Sequence, residues 1–198
     1  MILEMVNELG DIRGVAVKDR LPVERVKPLV TGELAPFFSL VNTLDSWQAS
    51  LFSTDFSDKS LYLPDLLEVG PVVVSFYCPC WGTYARPFLS ALKELATKLQ
   101  SISGQLVVFT NENPRLLARQ VDVDNMLLAY DAGNAVARRF GVYSENDPIW
   151  DRVSGISEDV YVPAIYTINR FRQIQYHFLD ENFEGFTQSE DLFYDLQR

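Results

Sequence analysis

Val72-Val73-Val74-Ser75-Phe76 is the segment that most restricts how this chain can fold. The run is short, β-branched and almost wholly apolar, which predicts a central strand buried on both faces. A strand of that kind needs helices packed over its sheet. The next segment supplies one. Phe88, Leu92, Leu95 and Leu99 recur at spacings of four, three and four and form a single helical stripe. Pro87 suits the first turn of that helix, and Ser101–Gly104 ends it.

The alternation continues. Leu106–Phe109 reads as a strand, Pro114 to about Gln120 as a short helix with Leu116 and Leu117 inward, and Met126–Tyr130 as another strand. Asn134–Phe140 reads as a helix closed by Gly141. Strands alternating with helices imply parallel pairing. Ala164–Ile168 is a further strand, Asn169-Arg170-Phe171-Arg172 a turn, and Gln173–Leu179 alternates polar with apolar residues, which predicts an antiparallel hairpin. Thr187-Gln188-Ser189-Glu190 fits a capping box for a last helix with Leu192, Phe193 and Leu196 inside. Residues 1–31 read as an N-terminal extension with weak helical spacing (Ile2, Met5, Val6, Leu9), packed on the main domain or used in an oligomer contact. Residues 32–198 then form one domain, long enough for a substantial core.

Composition narrows the function. A net charge of −10, from 27 acidic and 17 basic side chains, disfavours nucleic acid as a partner, because phosphate binding needs a basic footprint. No apolar run has the length of a membrane span. Met1-Ile2-Leu3-Glu4-Met5 carries an acid where a secretory signal needs basic residues, so the expected compartment is the cytoplasm. His177, the sole histidine, falls on the more polar side of the hairpin, and with two cysteines it does not complete a metal site within one chain. No metal and no organic cofactor is expected.

Cys78-Pro79-Cys80-Trp81 follows the buried strand and precedes the long helix. A strand-to-helix junction offers free backbone N–H groups and a positive helix end, both favourable to a thiolate. Two readings of the pair stand side by side: a working dithiol, or two small buried residues at a strand end. A bridge between them would need a turn at Pro79, and the small ring so closed would be oxidising. Arg86 reads either as an anion or thiolate partner or as an exposed first-turn charge.

Four blocks of the sequence resemble one family. They are Gly32-Glu33-Leu34-Ala35-Pro36-Phe37-Phe38-Ser39-Leu40, the segment Leu63–Tyr77 leading into and through the buried strand, Asp131–Val142, and Val162-Pro163-Ala164-Ile165-Tyr166-Thr167-Ile168-Asn169-Arg170. In this order they resemble the peroxiredoxin-like branch of the alkyl hydroperoxide reductase/thiol-specific antioxidant family. The resemblance implies an α/β, thioredoxin-like fold: a central mixed sheet flanked by helices, with a peroxiredoxin-type insertion. It also implies that the Val162–Pro163 bond is cis and faces the cysteine loop.

The chain departs from the family at its centre. Aligned on Trp81, the nucleophilic cysteine position holds Gly82 and the resolving position holds Ala85. Neither side chain can act as a nucleophile. The expected chemistry therefore moves to a displaced pair, with Cys80 as nucleophile and Cys78 as resolver, or the reverse. Trp81, Gly82, Thr83, Tyr84 and Pro163 are the candidate substrate-lining residues. The resemblance implies a small peroxide or disulfide as substrate, a thioredoxin- or glutaredoxin-type reductant, and a possible homodimer. The rival expectation is a redox-inactive thioredoxin-fold protein that binds a partner.

Overall fold

A computed structural model describes residues 2–6, 12–16, 26–43, 46–51, 60–113, 117, 126–149, 153, 155–156, 160–186 and 192. Its strands are β1 (Ile2–Val6), β2 (Ile12–Ala16), β3 (Ser39–Thr43), β4 (Ser46–Ser50), β5 (Ser60–Tyr62), β6 (Val72–Phe76), β7 (Gln105–Thr110), β8 (Met126–Tyr130), β9 (Ala164–Ile168) and β10 (Ile174–Leu179). The helices are α1 (Leu63–Val69), α2 (Ala85–Gln100) and α3 (Ala135–Arg139).

Eight strands form one mixed sheet in the order β10-β9-β6-β7-β8-β4-β3-β5. β6, β7 and β8 run parallel, and β9 pairs antiparallel with β6, with Phe76 opposite Ala164. All five residues of β6 are buried, as its composition requires. The expected stripe of α2 is buried too: Phe88, Leu92, Leu95 and Leu99, joined by Ala85, Leu89 and Ala96. Phe76 lies at the centre of an aromatic cluster with Phe109, Phe140, Tyr161 and Tyr166, at centroid distances of 5.3–6.4 Å. Large side chains buried this way each contribute about 1.5–3 kcal/mol.

α3 closes as its sequence predicts. The N–H of Val142 donates to the carbonyl of Ala137 and that of Gly141 to Arg138, and Gly141 takes φ 71°. This is the double hydrogen bond that a left-handed residue makes possible after a helix. At the other end of α3 the buried Asp131 carboxylate accepts from the N–H groups of Val136 and Ala137, both at 2.9 Å.

Two expectations need correction. The weak helical spacing of residues 1–30 does not produce a helix at the start of the chain: β1 and β2 pair antiparallel as a separate two-stranded sheet. A few apolar residues over two turns fit either period, and pairing with a second segment decides between them. The Val162–Pro163 bond is trans, like every other peptide bond among the described residues. The Val162 N–H donates to Val142 O at 2.9 Å and the Pro163 carbonyl accepts from Asp180 at 3.0 Å, so the chain runs extended into β9. Just ahead of a strand, proline's missing donor breaks no ladder bond and the lower-energy trans form fits. The helix expected from Pro114 to Gln120 and the final helix with its capping box lie outside the described residues, except that Leu117 and Leu192 are helical and buried. β3, β4 and β5, which were not expected, complete the sheet beyond β8.

Candidate active site

The three parallel strands β6, β7 and β8 end on the same edge of the sheet, where α/β folds build their sites. Cys78 stands just past the end of β6 with extended backbone, φ −130° and ψ 130°. A 3-10 turn, Pro79–Tyr84, then carries the chain into α2. The proline fixes φ for the first turn residue and lacks an N–H that the turn could not satisfy.

This turn brings the two Cα atoms to 5.1 Å, and a disulfide joins Cys78 to Cys80. An extended tripeptide would hold them near the outer limit for bridging, so the bend at Pro79 is what makes the pairing possible. The two sulfur-bearing residues differ in access. Cys78 is fully buried, and Cys80 is only partly so. The N–H of Cys80 points at Cys78 Sγ, 3.2 Å away, and the Trp81 N–H reaches the Cys78 carbonyl at 3.3 Å.

The remaining turn residues divide by burial. Gly82 and Thr83 are exposed, Tyr84 is half-buried, and Ala85 is buried. Gly82 has φ 59° and ψ −125°, a left-handed conformation that residues with a Cβ rarely adopt. The backbone at position 82 thus suits glycine and not a residue with a side chain such as cysteine. Trp81 does not open onto solvent; it packs edge-on against Tyr77, Tyr84, Phe88, Tyr161 and Phe183. Arg86 is an exposed first-turn charge. Pro163 precedes Ala164, the partner of Phe76, and so falls by register past the end of β6 beside Tyr77, but it is buried and its carbonyl is already engaged by Asp180.

Asp180 is the residue that sequence reasoning missed. Its buried carboxylate accepts from the Tyr84 hydroxyl at 2.7 Å and from the N–H groups of Glu184 and Gly185 at 2.9 and 2.8 Å. One side chain thereby ties the cysteine turn to the segment after β10. Burial, and next to it the Asp180 carboxylate, push the Tyr84 phenol far above its ordinary range. Tyr84 is therefore a fixed hydrogen-bond donor and not a base. Phe183 seals the same contact at centroid distances of 5.0 Å from Tyr84 and 5.7 Å from Trp81. The only sequence signal was Asp180 closing an alternating strand ahead of turn-forming residues. Deeper in the core the Tyr161 hydroxyl donates toward the carbonyls of Tyr77 and Phe109, bracing the strand ends below the turn.

Among the described residues no helix is long and apolar enough to cross a membrane, and no group of three or more His, Cys, Asp or Glu side chains is placed to hold a metal.

Residues 31–177 match the AhpC/TSA family. No curated protein matches the chain. Among solved structures, the peroxidoxin BcpB of Mycobacterium tuberculosis is similar at 18% identity and TM-score 0.59, over 85% of this chain and 95% of that one. The thiol peroxidase of Chromobacterium violaceum gives 19% and 0.59, over 90% and 92%. A peroxiredoxin-like protein from Aquifex aeolicus gives 12% and 0.60, over 99% and 97%. At these identities the likeness is one of fold: mixed α/β, with a curled mixed sheet and flanking helices.

Proposed function

Since this chain belongs to the AhpC/TSA family, we propose that it is a thiol-dependent peroxidase whose redox pair is Cys80 and Cys78. The observation that carries the reading is the unequal burial of two cysteines held within bonding reach at the edge where the parallel strands end. The accessible sulfur is suited to meet a substrate, and the buried one to resolve it.

In the reduced chain the Cys80 thiolate attacks the outer oxygen of a hydroperoxide. The S–O bond forms, the O–O bond breaks, and the alkoxide or hydroxide leaves with a proton as alcohol or water. The Cys78 thiolate then attacks the Cys80 sulfenic sulfur, displacing water and closing the disulfide. A thioredoxin- or glutaredoxin-type dithiol returns two electrons. Its thiolate attacks Cys80 Sγ, Cys78 departs as thiolate, and the second thiol of the reductant resolves the mixed disulfide. Gly82, Thr83 and Tyr84 follow Cys80 in the same turn, and Thr83 is its exposed hydroxyl. In this reading residues 1–31 are an extension outside the 32–198 domain.

The test is peroxide treatment of the reduced chain and of the Cys78→Ser and Cys80→Ser variants, with dimedone to trap sulfenic acid. The parent should consume one equivalent of peroxide and lose both thiols reversibly. The Cys78→Ser variant should give a dimedone adduct at Cys80, and the Cys80→Ser variant should be inert. Two thiols unchanged by peroxide in the folded parent would overturn the assignment.

A further inference from the structure

The end of the sheet away from the cysteines carries a second feature. The turn between β9 and β10, residues 169–173, sits beyond Ile168, which is paired with Val72 at the start of β6. There, next to α1, lies a cavity of about 510 Å³ lined by Phe37, Leu67, Glu68, Arg170, Phe171 and Arg172, with Pro64 at its side. Two of its walls are large apolar side chains left open: Phe37 is 57% exposed and Phe171 69%. Leu34, which bridges to Gln173 of the turn, and Val69, the last residue of α1, are exposed apolar side chains as well. Isolated exposed apolar residues are ordinary, whereas a contiguous group around a hollow marks a contact surface.

The arginines are placed over the rings. The Arg172 guanidinium lies 3.6 Å from the centroid of Phe37, and that of Arg170 lies 4.7 Å from Phe171. Stacking uses the face of a guanidinium and leaves its N–H edge free, and that edge is the part that takes a carboxylate two bonds at a time. Neither arginine forms an ion pair with another described residue, on a chain whose net charge is −10. The turn is also braced. The Asn169 side chain accepts from the N–H groups of Phe171 and Gln173, both at 3.0 Å, and Arg172 donates its own N–H to the Asn169 carbonyl at 2.8 Å. Beside it, Ala35 donates to the Arg172 carbonyl at 2.9 Å, and Gln173 reaches the Gly32 carbonyl at 3.1 Å. Arg172 itself holds φ 64°. A binding surface that is already ordered loses little entropy on association.

The geometry points to a docking site for an acidic peptide segment of a partner protein: one carboxylate reaching the free edges of Arg170 and Arg172, and one aromatic or aliphatic side chain entering between Phe37 and Phe171. Charge decides the occupant. Two arginines against one acidic wall residue, Glu68, leave the cavity net positive, so an anionic segment complements it, while a basic or neutral one would cover the arginines without adding counter-charge. Arginine and aromatic side chains at the centre of a small patch are also the residue types that dominate binding energy. The site lies at the far end of the sheet from Cys78 and Cys80, and it does not rest on the proposed peroxidase reading.

The experiment uses the full chain and an array of synthetic fluorescein-labelled peptides in which glutamates flank a phenylalanine or leucine at varied spacing. Matched arrays carry lysine for glutamate, or serine for the apolar residue. Saturable binding of at least one acidic-apolar peptide is expected, with affinity falling as salt rises. Arg170→Ser together with Arg172→Asn should weaken it by about a hundredfold, roughly tenfold for each lost cation. Asparagine is chosen at 172 because it tolerates the left-handed backbone. Phe171→Ser, at an exposed site, serves as an independent variant and should weaken binding by about tenfold. Circular dichroism checks that each variant stays folded. The inference is overturned if no acidic-apolar peptide binds saturably, if the lysine array binds as well, or if the variants bind like the parent. It is equally overturned if sedimentation shows a second copy of the chain on this surface, seen as self-association that the same substitutions abolish.

Discussion

Removal of the Tyr84 hydroxyl tests the contact that holds the cysteine turn in place. Tyr84→Phe keeps the ring, its stacking on Phe88 at 5.6 Å and its edge contact with Phe183 at 5.0 Å. It deletes only the 2.7 Å bond to Asp180. The acceptor is a buried carboxylate, which keeps two backbone donors, so it is weakened and not stranded. A hydrogen bond to a charged partner contributes about 1.5–3 kcal/mol. Because two of three donors remain and Tyr84 is half-buried, the lower part of that range applies, about 1.5–2 kcal/mol. For a chain of this length that corresponds to a melting temperature lower by roughly 3–8 °C. Urea unfolding of the parent, Tyr84→Phe, Asp180→Asn and the double variant gives the coupling energy directly. A coupling of about 1 kcal/mol or more is expected. The same variant should make the turn open more often, so that trypsin-independent measures such as amide exchange at residues 80–84 quicken. A Tyr84→Phe protein within about 0.5 kcal/mol of the parent, with additive singles, would refute the claim that this bond anchors the turn.

Gly141→Ala should be far more damaging than a surface substitution. Its φ is 71°, and an added Cβ would fall onto the carbonyl oxygen of Lys27. Loss of more than about 2 kcal/mol is expected, with new proteolytic cleavage near Lys27 as that segment is displaced; a stable, uncleaved variant would contradict the packing. Gly82→Ala meets no atom within 4 Å but inherits φ 59°. Urea unfolding should therefore show only the backbone cost, about 1–2 kcal/mol, and a neutral result would mean the turn is not left-handed there. Burial raises the pKa of Asp131 above its ordinary 3.8, against the lowering by the N–H groups of Val136, Ala137 and Ala135 and the Arg138 charge. The folded chain then holds this proton more tightly than the unfolded one, so stability from Asp131 is greatest below the unfolded value and falls as pH rises through the folded one. Carboxyl NMR titration should place its midpoint above the usual carboxylate value; a midpoint at or below it would contradict the burial.

Much of the architecture was legible because it is written in local periods. β6 and α2 follow from a five-residue run with three valines and a phenylalanine and from one stripe of four large side chains. The ordered blocks of resemblance then fixed the mixed sheet. What could not be read depends on distant partners. β3 and β4 are polar-rich (Ser39–Thr43, Ser46–Ser50) and gain strand character from pairing with each other and with β8 and β5. The Tyr84–Asp180 bond spans 96 residues and leaves no periodic trace. Within the site, the need for a bend at Pro79 followed from strand geometry alone. The relative burial of Cys78 and Cys80 did not, because it depends on what the rest of the fold packs over each residue. The isomer of Val162–Pro163 was likewise not encoded in the dipeptide, since proline permits both forms and the surrounding extended path selects trans.

If Cys80 carries the sulfur that meets other molecules, an external thiol must attach there. Oxidised protein is treated briefly with glutathione, quenched with acid, and mapped by peptide mass spectrometry. The glutathione adduct is expected on Cys80, with Cys78 released as free thiol. Attachment at Cys78, or no adduct until the chain is unfolded, would contradict it.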